Sequence, residues 1–401
     1  MPGLIDAHIH TPPRLAFGNQ ELFSLLYIAY GVTSVRDVGA IDDSVGNLVA
    51  RTNSGRLVGP HMYWCGPVLE SSPLSFGAAK SVTTEDESRA AVLELADQGV
   101  DCIKTYNNLS PEAYRGIRQA AADRKVPVIG HIPHRVGIAN VQDFESQHLT
   151  GVPYVAGGAP PVNGDFRDAD WLSMTDEQID AALIAARDRK ISFLPTLANG
   201  RVRLIASDPK RFPPTPGARH LPEVWFEAWS SQSTIASHPT GDEIARREAR
   251  LPRFSYATGR ARALGIDVLA GTDTLMPYVV PGESLHLEIA ELASAFDDNE
   301  AALAAATTVN GRHIDAGVTG AIAVGARADI LLLPADPVAN LSALRDWQIL
   351  FADGRRYDRT DVDRAVERYD RHFQSAFYAL PMRWASRFAS SGKGRQIDHV
   401  H

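Results

Sequence analysis

Short runs of apolar and β-branched residues recur along this chain at 4–9, 32–38, 61–65, 101–106, 126–131, 143–149, 191–196 and 266–271, mostly with a helical pattern between them. Helical stretches are read at 21–30, 43–53, 84–98, 175–190 and 242–264, and another starts at Ser110. Their ends carry specific signals. Thr84 with Glu87 and Thr175 with Gln178 form capping boxes, Pro111 follows the cap Ser110, and Gly31 and Gly99 fit helix exits. Strands joined through helices run parallel, and such a sheet can close on itself. The pattern predicts an α/β chain built as a (β/α)8 TIM-like barrel, with an open doubly wound sheet as the runner-up.

Two connections are long. Residues 153–170 are rich in Gly and Pro, and residues 198–240 carry Arg201, Arg203, Trp225, Phe226 and Trp229. Segments of this kind after barrel strands are either lids over a site or insertions packed on their own aromatics. Beyond Gly311 the pattern shifts to short β segments at 320–324, 328–333 and 348–352, then an amphipathic helix at 361–378. The expected organisation is a (β/α)8 barrel over 3–315, a remnant of a small β-sandwich domain from 1–2 and 316–360, and a C-terminal helix and tail over 361–401.

The formal net charge of −8 argues against nucleic acid as the main partner. No apolar run reaches the roughly 18 residues of a membrane span, and no signal peptide opens the sequence. Cytoplasmic placement is the default, and export follows if the natural N-terminus lies upstream. The two cysteines, Cys65 and Cys102, exclude a disulfide framework or a multi-cysteine zinc site. Both fall in or beside predicted strands, so buried thiols are expected.

Barrel enzymes place their chemistry at the C-terminal ends of the strands. The first strand offers His8 and His10 there, on one face because residues i and i+2 point the same way. Later strands offer Lys104, His131, His148 and Asp273. Imidazole is the usual nitrogen ligand of zinc and similar ions, so histidines and an aspartate on one rim form a coherent metal-ligand set. Tyr106 shares a strand face with Lys104, His134 follows His131 closely, and Arg201 and Arg203 follow the seventh strand. Either arginine could hold a carboxylate bidentately. These four are the candidate substrate contacts, against plainer readings as a rim aromatic, a loop histidine and solvated arginines. His286 reads as structural, or as a support for a ligand.

The segments PGLIDAHIH, GVTSVRDVG, DCIKTY, VIGH, SQHL, LAGTDT, SLHLEIAEL and GAIAVGARADILLL together resemble the metal-dependent amidohydrolase superfamily. The resemblance runs from Met1 to about Arg356 and favours the branch of imidazolonepropionase-like proteins and Xaa-Pro dipeptidases. It implies two divalent metal ions, zinc being expected, with His8, His10 and Asp273 on the more buried ion and His131 and His148 on the other. It implies Lys104 as a carboxylated lysine between them. An ammonium there would be repelled, whereas a carbamate formed with CO2 offers one oxygen to each ion.

The implied reaction is hydrolysis of an amide or peptide C–N bond in a small substrate. A metal-bridged hydroxide attacks, a metal polarises the carbonyl, and Asp273 acts as general base and then acid. The rivals are a mononuclear deaminase or cyclic amidase, an esterase or lactonase, and a non-catalytic binding barrel. Lys104 argues against the first and the intact ligand set against the last. Relatives of this kind carry residues ahead of PGLIDAHIH that complete the β domain. Without them, the β segments near Ile322 and Leu331 are expected to leave an open edge that a homo-oligomer would cover. A frayed start would also loosen His8 and His10 together.

Overall fold

A computed structural model describes residues 1–14, 18–153, 168–223, 225–226 and 239–381. Strand β1 (Leu4–Ile9) pairs in parallel with β2 (Val32–Asp37), and β2 with β3 (His61–Trp64). A second sheet holds β4 (Leu69–Glu70), β5 (Lys80–Ser81), β6 (Ile103–Thr105), β7 (Val128–Gly130), β8 (Phe144–Gln147) and β9 (Ile191–Leu194), all parallel. Strands β1 and β2 are buried along their whole length, because the barrel interior lies on one side and helices on the other. This explains continuous apolar runs rather than a polar–apolar alternation.

Two seams turn these sheets into a ring. At the first, the Asp101 N–H donates to Trp64 O at 2.8 Å and the Trp64 N–H to Asp101 Oδ2 at 2.9 Å. At the second, residues 266–274 run between β9 and β1, bridging Phe193 to Val268 and Ile9 to Thr274. The eighth strand read from the sequence is thus in place but forms no regular ladder. Its backbone is divided among three partners: Leu269 N–H donates to Phe193 O, Ala270 O accepts from Ala7 N–H, and Ala270 N–H donates to the Asn310 side chain. Asn310 Nδ2 also donates to Ile5 O and Ala270 O, both at 2.8 Å, and so clamps the two edges together. The π-helical stretch Ala305–Val309 sets the residue against the seam. Asp6 adds a second tie, accepting from Thr272 N–H at 3.0 Å and Thr272 Oγ1 at 2.7 Å.

The helices follow the signals that predict them. Capping boxes stand at Thr84 and Thr175 as read, and a third opens the helix Gly241–Ala263 at Thr240. A short antiparallel sheet of β10 (Ile330–Leu332), β11 (Ile349–Ala352) and β12 (Arg355–Asp358) lies outside the barrel. Met1 and Pro2 join it, with Pro2 bridged to Ile330 and the Leu331 N–H donating to Met1 O at 2.9 Å. The free edge expected at Leu331 is therefore occupied, and Leu331 is buried. No described helix is long and apolar enough to cross a membrane.

Four expectations need correction. Cys65 and Cys102 are not thiols but a disulfide, with Cα atoms 4.4 Å apart. They are brought together because β3 and β6, distant in sequence, are neighbours across the first seam. Residues 320–324 form bends and turns rather than a strand, and Ile322 stays exposed, with no strand among the described residues paired to that stretch. The segment after β9 is no simple loop, since it opens with the helix Leu197–Ser207. Trp225 packs on Phe23 and Phe226 on Tyr278, while Trp229 and residues 154–167 lie outside the described residues. The C-terminal helix spans Arg359–Phe373, started two residues early by the turn that ends β12.

The bridge closes a loop of sequence separation 37, and chain-entropy reasoning gives roughly 4 kcal/mol for a loop of that size. Replacing Cys65 and Cys102 together by Ser should lower the thermal midpoint by several degrees, with the same shift when the wild-type chain is unfolded under strong thiol reductant. An unchanged midpoint in both would show that the seam does not depend on the bridge.

Candidate metal centre

Each proposed ligand hangs from a strand end at the same mouth of the barrel. His8 and His10 stand at the end of β1, Lys104 in β6, His131 just after β7, His148 just after β8, and Asp273 in the closing segment. His8 Nε2 lies 3.2 Å and His10 Nε2 3.4 Å from Asp273 Oδ1. The donor atoms of His8, His148 and Asp273 fall within 4.8 Å of one another. The His131 and His148 rings meet edge-on with centroids 5.0 Å apart, and the His8 and His148 rings are tilted with centroids 4.8 Å apart.

The surroundings dictate which nitrogen faces inward. His10 Nδ1 sits 2.9 Å from Gly39 O, and His131 Nδ1 sits 2.7 Å from Asn107 Oδ1. Both partners are oxygens that only accept, so both rings carry the proton on Nδ1 and present the Nε2 lone pair. His148 Nδ1 lies 2.6 Å from Thr196 Oγ1, whose own hydroxyl donates to Pro195 O. That hydroxyl must accept from His148, which assigns the same tautomer. Burial holds His8 well below the usual imidazole range and lowers His148 to about 4, so both rings are neutral and able to ligate.

The fit to divalent ions can be tested on these atoms. His8 is wholly buried, and among the described residues the one polar contact of its ring nitrogens is with Asp273, so its lone pair lies where a cation held together with that carboxylate would take it. Two ligands at the 2.0–2.1 Å of a tetrahedral zinc stand roughly 3.3 Å apart, which matches the separations of Asp273 Oδ1 from His8 and His10. Asp273 Oδ2 is held by Asn199 Nδ2 at 2.6 Å. Lys104 is almost wholly buried, donates to Gln147 Oε1, and is lowered by burial to about 7. Gln147 in turn donates to Glu145, which pairs with buried Arg36. The residues present therefore fit a divalent metal ion.

Backbone strain gathers at the same mouth. His148, Leu149, Thr196 and Asp273 all have φ between 52° and 61°, a region that non-glycine residues seldom adopt and that clusters at functional sites. Small residues make room. A Cβ on Gly39 would lie 2.7 Å from His10 Cε1, and one on Gly271 would lie 2.7 Å from His8 Cβ.

Next to the proposed ligands opens a cleft lined by His131, His148 and Arg203 among others. Of the candidate substrate contacts, only Arg203 lines it. Arg201 is turned away, with its Nε donating to Glu291 at 2.8 Å. Tyr106 stacks on His131 at 4.1 Å and packs with Val68 and Phe76. His134 is buried and its N–H donates to Asn107 O. His286 is structural, bonded to Tyr30 O at 2.8 Å. Sequence reading missed Asn107, Gln147, Thr196 and Asn199. Asn107 follows β6 and Gln147 ends β8, next to Lys104 and His148, the one signal that points to them; Thr196 and Asn199 follow β9, which carries no ligand.

Residues 1–357 match the profile of the Amidohydrolase family. Among solved structures, bottromycin amidohydrolase superposes with a TM-score of 0.73 at 22% identity, over 93% of this chain and 80% of that one. A putative prolidase from Bifidobacterium longum gives 0.64 at 23% identity, over 92% and 84%. Ochratoxinase from A. niger gives 0.63 at 18% identity, over 89% and 83%. No match was found among curated proteins.

Glu288 anchors the start of the helix Leu197–Ser207, which carries Asn199 and Arg203. Its Oε2 accepts from Ala198 N–H at 2.6 Å, and burial raises its pKa from 4.5 to about 8. A carboxyl raised in the fold favours the native state fully below pH 4.5, and this contribution is lost as pH rises through 8. Glu288→Gln should therefore flatten the fall in stability between these limits, read as denaturant midpoints across pH. Parallel curves for the two proteins would refute that assignment.

Proposed function

Because the chain belongs to the amidohydrolase family, we propose that it hydrolyses an amide or peptide C–N bond of a small substrate at a centre built for two divalent ions. The observation that carries this is the set of Nε2 lone pairs, fixed by their Nδ1 partners, converging with Asp273 and Lys104 on one mouth of the barrel. His8, His10 and Asp273 would hold the deeper ion, and His131 and His148 the outer one. When bound, such ions activate water and polarise the scissile carbonyl.

The chain's own groups do the rest. Lys104, lowered to about 7 by burial, is in part the free amine that can add to CO2. The Nζ–carbon bond forms, one N–H proton leaves, and an anionic carbamate remains, with Gln147 placed to fix its nitrogen. Asp273 is held by Asn199 at one oxygen and turns the other toward the histidines. It would take the proton from water and return it to the leaving nitrogen. The buried Arg36–Glu145 pair under Gln147 keeps this end of the barrel interior ordered. Dipeptides and other N-acyl amino acids are the substrate class to screen first, since the named neighbours include amidohydrolases and a putative prolidase.

Protein produced with added zinc and bicarbonate should contain about two ions per chain by elemental analysis; one ion or none would refute a binuclear centre. Lys104→Met should lower both metal content and turnover by at least about 100-fold in turnover. Full activity in that variant would exclude the carbamate.

A further inference from the structure

Strands β6 and β7 are joined through the helix Pro111–Arg124, and β8 and β9 through the helix Asp176–Asp188. The connection from β7 to β8 has only the single turn Ile138–Asn140. A groove opens on the outside of the barrel between the helix Pro111–Arg124 and this connection. Arg115 and Arg118 reach it from the helix and Arg135 from the connection. Arg115 has carboxylates near it, Glu85 at 3.8 Å and Glu112 at 3.9 Å, both beyond hydrogen-bond length. Arg118 donates to Gln142 O at 2.9 Å and Asp143 O at 3.4 Å, which fix its position without setting a negative charge against its own. Arg135 is exposed and forms no ion pair among the described residues. Tyr114 also lines the groove. It is only 5% exposed, and its hydroxyl has no hydrogen-bond partner. Such an orphan is uncommon in a folded chain and costs free energy. Burial pushes Tyr114 up to about 12, so the hydroxyl keeps its proton, with the Arg118 charge acting on it. What is missing is an acceptor, and beside guanidinium groups an anionic one binds best.

We propose that this groove binds a phosphoryl group, free or on a small phosphorylated molecule, with Tyr114 donating to one oxygen and Arg115, Arg118 and Arg135 holding the others. A planar carboxylate is filled by one guanidinium fork, whereas a tetrahedral, doubly charged group has oxygens for donors that arrive from several sides. The helix side of the groove is firm, because a Cβ on Gly116 would lie 2.5 Å from Glu85 O, so the helices Glu85–Asp97 and Pro111–Arg124 meet there backbone to backbone. A bound phosphoryl group ties the helix that follows the Lys104 strand to the connection that starts at His131. The site therefore stands apart from the metal ligands in space but touches the supports of two of them.

Calorimetry of the full chain with inorganic phosphate, glycerol 3-phosphate and acetate tests this. Both phosphates should bind, and acetate at least about tenfold more weakly. Tyr114→Phe deletes only the hydroxyl and should weaken phosphate binding roughly tenfold, and Arg135→Met roughly 10- to 100-fold, as for loss of charge-assisted hydrogen bonds. Arg56→Met, at an exposed arginine outside the groove, should leave binding unchanged. Thermal melts show that each variant folds, and phosphate should raise the midpoint of the wild type more than that of Arg135→Met. Tighter binding of glycerol 3-phosphate assigns a phosphorylated small molecule and tighter binding of phosphate the free ion; either upholds the site. Three results overturn it: no phosphate binding by the wild type, acetate binding as tightly as phosphate, or phosphate binding undiminished in either Tyr114→Phe or Arg135→Met, which places the anion elsewhere.

Discussion

The contact between β1 and the segment 266–274 is the constraint on which the rest depends. It closes the barrel, and it also brings together His8 and Asp273, which stand far apart in the sequence. Asp6 and Asn310 secure the same seam from its inner and outer sides, the one through Thr272 and the other through Ile5 and Ala270. Folding and assembly of the ligand set are thus one event. A chain with this seam open would have its histidines but no site.

The candidate ligands are ordered by a second ring of polar groups. Gly39, Asn107 and Thr196 each take an Nδ1 proton, and Asn199 takes one oxygen of Asp273. Two of these lie on the stretch from Thr196 into the helix that Glu288 anchors. The same helix carries Arg203 into the cleft. The cleft wall and the candidate ligands therefore share one mechanical support, and displacement of that helix start would be felt at both.

Much of the barrel was legible in the sequence because its signals are local. Capping boxes, apolar runs and the i, i+2 placement of His8 and His10 act over a few residues. What escaped depends on neighbours that no local pattern names. The Cys65–Cys102 bridge needs β3 and β6 side by side, and these are separated by the insertion that carries β4 and β5. The eighth strand lost its regular ladder because its backbone serves three partners at once. The apolar stretch near Ile322 has strand composition yet pairs with no strand among the described residues, so composition alone misled. At the site, residue types with strong metal preference could be picked out, whereas Asn107, Thr196 and Asn199 are ordinary polar residues until their distances are known. The two arginines after β9 illustrate the limit: Arg201 and Arg203 are equivalent in sequence, and only the helical turn sends one to Glu291 and the other into the cleft.

The ligands hang from strand ends deep in the ring, whereas Trp171, Arg203, Arg250 and Phe254 come from helices outside it. That separation has an evolutionary reading. Substitutions in the outer helices can redraw the lining of the cleft while the seam, and the ligand set it assembles, stays intact. At Gly200 a Cβ would lie 2.6 Å from Leu251 Cδ2, so a side chain there requires Leu251 to turn aside. Descendants of this chain could then remodel the wall residue by residue without reopening the barrel.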